Sequence, residues 1–228
     1  MWRTTSLYVA SPDHRFSLRG RKARGTVALI LLWAGIHFTL TVLLGKSPQY
    51  IAETFGVAPF TLFQGEAPWR LLTALFVHGG VWHLVSNGIF FLIMAPMLER
   101  DRGIWPLVGI FVAGGVTGFL AHAVMNYNDM APALGASGGI AAVLGTYPLW
   151  CRRSMLILKV EPAQGMIPAV PLVWFWLVMQ IVWSLLTPEA GISYLSHIGG
   201  FAAGFAIAWT WNRFSGRRRR PPKLRVVH

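Results

Sequence analysis

Ser137 stands in the run ALGASGGIAAV (133–143), a hydroxyl set among three glycines and four alanines. His197 stands in SHIGGFAAGFA (196–206), and His83 and Asn87 lie four residues apart upstream. A serine and a histidine supply a nucleophile and the base that takes its proton. A histidine and an amide on one helical face supply donors for a developing oxyanion. Taken singly, each has a plainer reading. Glycines let helices pack, a helical serine bonds back to its own backbone, and a buried histidine or His–Asn pair satisfies itself between helices.

The elements that must position these residues are set by composition. The chain has 228 residues, 54% of them hydrophobic and 12% charged, with mean hydropathy +0.52. Soluble domains carry about a quarter charged residues. Eleven tryptophans and fourteen phenylalanines suit interfacial aromatic belts. The pattern predicts an all-α polytopic membrane protein with six spans, roughly 26–45, 80–98, 104–125, 135–151, 168–187 and 193–212. The segment 46–79 mixes aromatics with Gly and Pro, which predicts short amphipathic pieces at the interface. The segments on the other side read as ordinary connectors. The domains expected are a basic N-terminal segment (1–25), a membrane domain (26–212) and a basic tail (213–228).

The formal charge is +12. The tail GRRRRPPKLR (216–225) resembles a nucleic-acid patch. In a membrane protein such clusters more often set topology, so no nucleic acid is expected as a partner. Basic residues before the first span and after the second, fourth and sixth all fall on one side if there are six spans, against Lys46 and Arg70 on the other. Both termini are therefore expected in the cytoplasm, with the basic tail held near anionic lipid. Cys151 is the lone cysteine and no H-E-x-x-H occurs, so no metal is expected.

Depth then joins the polar residues. With this orientation His83 and His197 lie about 5 Å into their helices and Asn87 about 10 Å, while Ser137 opens its own helix. All four share the outer half of the bilayer. Gly138, Ala141, Ala142 and Gly145 give the fourth span a small face, and Gly200 and Gly204 give the sixth another. Two such faces can meet backbone to backbone, bringing His197 to Ser137.

The chain resembles the rhomboid family of intramembrane serine proteases, bacterial type. The residues that carry the likeness are Gly135-Ala136-Ser137-Gly138, His83 with Asn87, and His197 with Gly200 and Gly204. Trp69-Arg70 before the second span and Glu99 at its close add to it. The resemblance implies a six-helix core and hydrolysis of a peptide bond in or near the transmembrane segment of a membrane protein substrate, without a cofactor. It implies Ser137 as nucleophile and His197 as base in a dyad with no acidic third member. It also implies an oxyanion site from the Ser137 backbone, His83 and Asn87. A lateral opening between the second and fifth spans, and residence in the bacterial inner (plasma) membrane, come from the same likeness. Some bacterial members place a tyrosine four residues after the serine, beneath the base. Here that residue is Ala141, so His197 needs another support. A catalytically inactive relative that binds membrane clients is the alternative. Substrate identity and oligomeric state are not fixed by the sequence.

Overall fold

A computed structural model describes residues 6–10, 23–160, 163–187 and 191–215. Most of the expected N-terminal basic segment and the tail from residue 216 lie outside the described residues. The described chain is a mostly helical membrane bundle. Its helices are α1 (Arg24–Phe38, continued by a π-helical turn Thr39–Leu43), α2 (Pro48–Phe55), α3 (Pro59–Phe63), α4 (Arg70–Thr73), α5 (Val81–Arg102), α6 (Ile104–Met125), α7 (Ser137–Gly145), α8 (Tyr147–Trp150), α9 (Ala169–Leu186) and α10 (Tyr194–Phe214). Among the described residues, four stretches are long and apolar enough to cross a membrane: α1 with its extension, α5, α6 and α9. At 21 residues α10 has the length as well, but its glycines, hydroxyls, histidine and asparagine dilute its apolarity.

The fourth predicted span differs most from expectation. Residues 135–151 do not form one helix: α7 has nine residues and α8 four, so α7 is only about 14 Å long. Residues Gly138 to Gly145 of α7 are all buried. A helix enclosed on every side has no room for bulk, which accounts for its glycines and alanines. Its neighbours are small at the same places. A Cβ on Gly114 or Gly118 of α6 would overlap Ala142 or the Ser196 carbonyl. One on Gly145 would overlap the Phe201 carbonyl. Without a hydrophobic force between helices in lipid, such close packing is what holds them together.

Trp33 of α1 packs against Phe91 of α5 and Phe111 of α6 at ring-centroid distances of 5.1 and 5.5 Å. The start of α1 has no capping side chain of its own. Glu99 of α5 supplies the acceptors instead, taking the Gly25 and Thr26 backbone N–H groups at 2.7 and 2.8 Å and the Thr26 hydroxyl at 2.8 Å. A carboxylate at a helix N-terminus is favourable both for its hydrogen bonds and for the helix dipole. The turn from α5 to α6 is a single residue, Gly103, with φ +97°, which a side chain would resist. The Tyr147 hydroxyl donates to the Met94 carbonyl at 2.6 Å, tying α8 to α5 two residues before Pro96.

A second difference lies in the connectors. Met155–Val160 (β2) and Ala163–Pro168 (β3) form an antiparallel hairpin, and Ser6–Ala10 (β1) adds to β2, giving the order β1-β2-β3. The apolar run MLILKV had the composition of a strand. Its partner near the N-terminus is too distant in sequence for local reading.

Candidate active site

The loop ahead of α7 is held by the short helices of 46–79. Val57 and Ala133 exchange two backbone hydrogen bonds, at 2.8 and 2.9 Å, and the Gly135 N–H donates to the Ala74 carbonyl at 2.8 Å. Gly135 has φ +120°, and a Cβ there would sit 2.7 Å from the His83 ring and 3.8 Å from Asn87 Nδ2. Glycine is required on both counts. Gly135 thus brings the backbone just before Ser137 against His83 and Asn87.

Ser137 is the first residue of α7, so its N–H is one of those a helix start leaves without an intrahelical acceptor. Its Oγ lies 2.7 Å from His197 Nε2. The two helices that carry them touch backbone to backbone. A Cβ on Gly200 would overlap the Gly138 carbonyl, and one on Gly204 the Ala142 carbonyl. Asn87 is buried, and its Nδ2 has no protein partner among the described residues. A buried amide of that kind is unusual and is free to meet a ligand or water.

Ser137, His197, Asn87 and Gln180 open into a cleft of about 740 Å³ between α5 and α9, walled by Phe90 and Trp176. A second cavity of about 210 Å³ shares Phe90 and Trp176 and is lined also by Met94, Leu144 and Val173.

Three residues at or beside the site were not singled out in the sequence. Gln180 of α9 faces the other ring nitrogen of His197, Oε1 to Nδ1 at 2.7 Å. Its signal was an amide inside the apolar run VPLVWFWLVMQIVW (170–183), since polar groups within spans are costly. Trp176 lies 5.8 Å from the His197 ring, tilted by 36°. His78, in the loop before α5, packs on His83 at 5.2 Å and on Trp33 at 5.9 Å. Burial first, then neighbouring His83 and His37, lowers its pKa to about 3. His78 is therefore neutral, and neither of its ring nitrogens has a protein partner among the described residues. His122 and Asn126 pair with each other at the end of α6 and take no part in this cluster. Among the described residues no group of three metal-ligating side chains occurs.

This arrangement can do acyl transfer: a hydroxyl bonded to an imidazole, unpaired donors beside it, and an apolar cleft. Comparison with known sequences points the same way. The profile of the Rhomboid domain matches residues 65–214, well over half of the chain. Rhomboid-related protein 3 of Homo sapiens is 27% identical over 185 residues, covering 77% of this chain and 44% of the relative. Rhomboid-like protease 3 of Toxoplasma gondii is 27% identical over 198 residues, covering 82% and 68%. Rhomboid protease GluP of Bacillus subtilis is 28% identical over 185 residues, covering 80% and 34%. The chain thus spans less than half the length of the human and Bacillus relatives.

Proposed function

The chain belongs to the rhomboid family of multi-pass membrane proteins, and we propose that it is an intramembrane serine endopeptidase with Ser137 as nucleophile and His197 as general base. The observation that carries this reading is the 2.7 Å contact of Ser137 Oγ with His197 Nε2 at the mouth of an apolar cleft. Relatives named as proteases support it. The substrate is a membrane protein whose transmembrane segment enters the cleft between α5 and α9. Six crossings, the fourth made by α7 and α8 together, with both termini in the cytoplasm complete the proposed topology, following the basic residues along the chain. The inner (plasma) membrane of a bacterium is the proposed location, and the basic tail is proposed to lie against anionic lipid.

The reaction runs in two halves. Ser137 Oγ attacks the scissile carbonyl carbon while His197 Nε2 takes the hydroxyl proton. The carbonyl oxygen becomes an oxyanion, met by the Ser137 backbone N–H, the His83 ring and Asn87 Nδ2. His197 then gives its proton to the leaving amine, and the C–N bond breaks to leave an acyl-serine. Water enters, His197 takes its proton, the ester is hydrolysed and Ser137 is regenerated. A helical peptide bond shields its carbonyl, so the substrate must unwind locally, and helix-weakening residues near the cut favour this.

The test is labelling in liposomes with a fluorophosphonate, followed by peptide mapping, alongside cleavage of a single-span reporter. A label on Ser137 and cleavage lost in Ser137→Ala are expected. Reporter bound but uncut, with Ser137 unlabelled, would move the protein to the inactive, client-binding class.

A further inference from the structure

We infer that Gln180 is the positioning residue that fixes the tautomer and orientation of His197, the role an acidic third member fills elsewhere; this rests on the serine-protease reading above. A neutral imidazole carries one proton, on either Nδ1 or Nε2, and only the first form leaves Nε2 free to accept from a serine hydroxyl. Which form is present is decided by what faces Nδ1. An oxygen there fixes the proton on Nδ1. A nitrogen donor there would move it to Nε2, which would then donate to Ser137 and could not take its proton.

The atom facing Nδ1 is Gln180 Oε1, at 2.7 Å. The other end of the same amide agrees with that orientation. Nε2 of Gln180 points to the Trp176 carbonyl at 3.5 Å, an acceptor that would repel the amide oxygen. With its oxygen toward Nδ1 the amide selects the tautomer, and the tautomer leaves Nε2 as acceptor for the Ser137 O–H, also at 2.7 Å. Gln180 is buried, so water competes poorly for this bond. On α7, Ala141 offers neither a ring nor a polar atom for the base. The support comes from α9 instead, where Trp176 also flanks the imidazole.

A second consequence concerns the cleft. Gln180 and Trp176 line it, on the helix that forms one of its walls. Displacement of α9 away from α10 lengthens the Gln180–His197 bond, so the base is oriented only when α9 is seated.

The full chain in detergent micelles gives the test, with ¹⁵N-histidine labelling, reporter kinetics and fluorophosphonate labelling on one preparation. Gln180→Met keeps the side chain's length and removes the acceptor. It is expected to lower kcat by about tenfold to a hundredfold with KM within about twofold. It should also shift the His197 ¹⁵N signals, assigned by their loss in His197→Gln, from the Nδ1–H form toward the Nε2–H form. Gln180→Glu still offers an acceptor. It is expected to retain the Nδ1–H form and a kcat at least about tenfold above the methionine variant. A folded Gln180→Met with wild-type kcat, or with its Nδ1–H form unchanged, overturns the inference. Should Gln180→Met fail to fold, Gln180→Glu decides: loss of the Nδ1–H form there overturns it as well. If wild-type cleavage proves independent of Ser137, the protease reading falls and this one with it. Ser137-dependent cleavage indifferent to Gln180 removes this one alone.

Discussion

Ser137 and His197 are 60 residues apart in sequence and joined side chain to side chain at 2.7 Å. That contact depends on two short-range facts about the backbone. The α7 and α10 helices approach to glycine distance, and the loop before α7 is tied to the segment 46–79 at Val57 and Ala74.

Removing either partner should abolish turnover without unfolding the protein. Ser137→Ala deletes one part-buried hydrogen bond, worth about 1 kcal/mol. His197→Ala deletes the proposed base and leaves a small space. Both variants are expected to keep a cooperative melt near the wild-type Tm while reporter cleavage drops below detection. Substantial cleavage by a folded Ser137→Ala variant would refute the nucleophile assignment.

The close approach of α10 to α7 yields a second expectation. A Cβ at Gly200 already overlaps the Gly138 carbonyl, and Gly138 is one residue from Ser137. Gly200→Leu must push α10 away and draw His197 from Ser137. A displacement of about 1 Å lowers rate roughly a hundredfold. Gly109→Ala on α6, where an added Cβ meets nothing within 4 Å, serves as the control and should leave kcat unchanged. Equal activity in the two variants would mean that α10 can carry bulk at position 200 without moving.

How much of this was legible in the sequence follows from the range of the interactions involved. The apolar runs and their aromatic belts mark the long helices because a span is a local, 20-residue property. The Ser137, His83, Asn87 and His197 cluster was legible because polar groups stand out in apolar surroundings. Gln180 carries the same signal, an amide in an apolar run, but it is not singled out by the sequence because its partner is 17 residues away on another helix and nothing local names it. The length of α7 was misread since glycine and alanine fill a span and a buried short helix equally well. The β1–β2 pairing joins residues 6–10 to 155–160, a register that no periodicity encodes. His78 is silent in the sequence because its environment is assembled from α1 and α5.

Acid sensitivity should trace in part to His78. Its folded pKa is lowered to about 3, against about 6.5 unfolded. Above pH 6.5 it is neutral in both states and costs nothing. As pH falls from 6.5 toward 3 the unfolded chain takes up a proton that the folded chain refuses, so stability is lost across that window. The slope from one such group is at most about 1.4 kcal/mol per pH unit. Tm measured in detergent at intervals from pH 7.5 to 4 should fall less steeply for His78→Gln than for the wild type. Parallel curves for the two proteins would take His78 out of the account.

The proposed oxyanion donors are tested most sharply at Asn87. Its Nδ2 is buried, lines the cleft beside Ser137 and His197, and has no protein partner among the described residues. A donor with no resting partner has a free bond to offer when negative charge develops, and loses little if removed from the resting protein. Asn87→Ala is therefore expected to leave Tm nearly unchanged and to lower kcat by about 10²–10³. Labelling by a small fluorophosphonate also forms an oxyanion-like centre, so it should slow as well, but by less, because its leaving group is better. A purely structural asparagine predicts the opposite pattern: a lowered Tm, with normal kcat in the fraction that stays folded. Measuring Tm, labelling rate and kcat on one preparation separates the two, and normal kcat in folded Asn87→Ala would strike this residue from the oxyanion site.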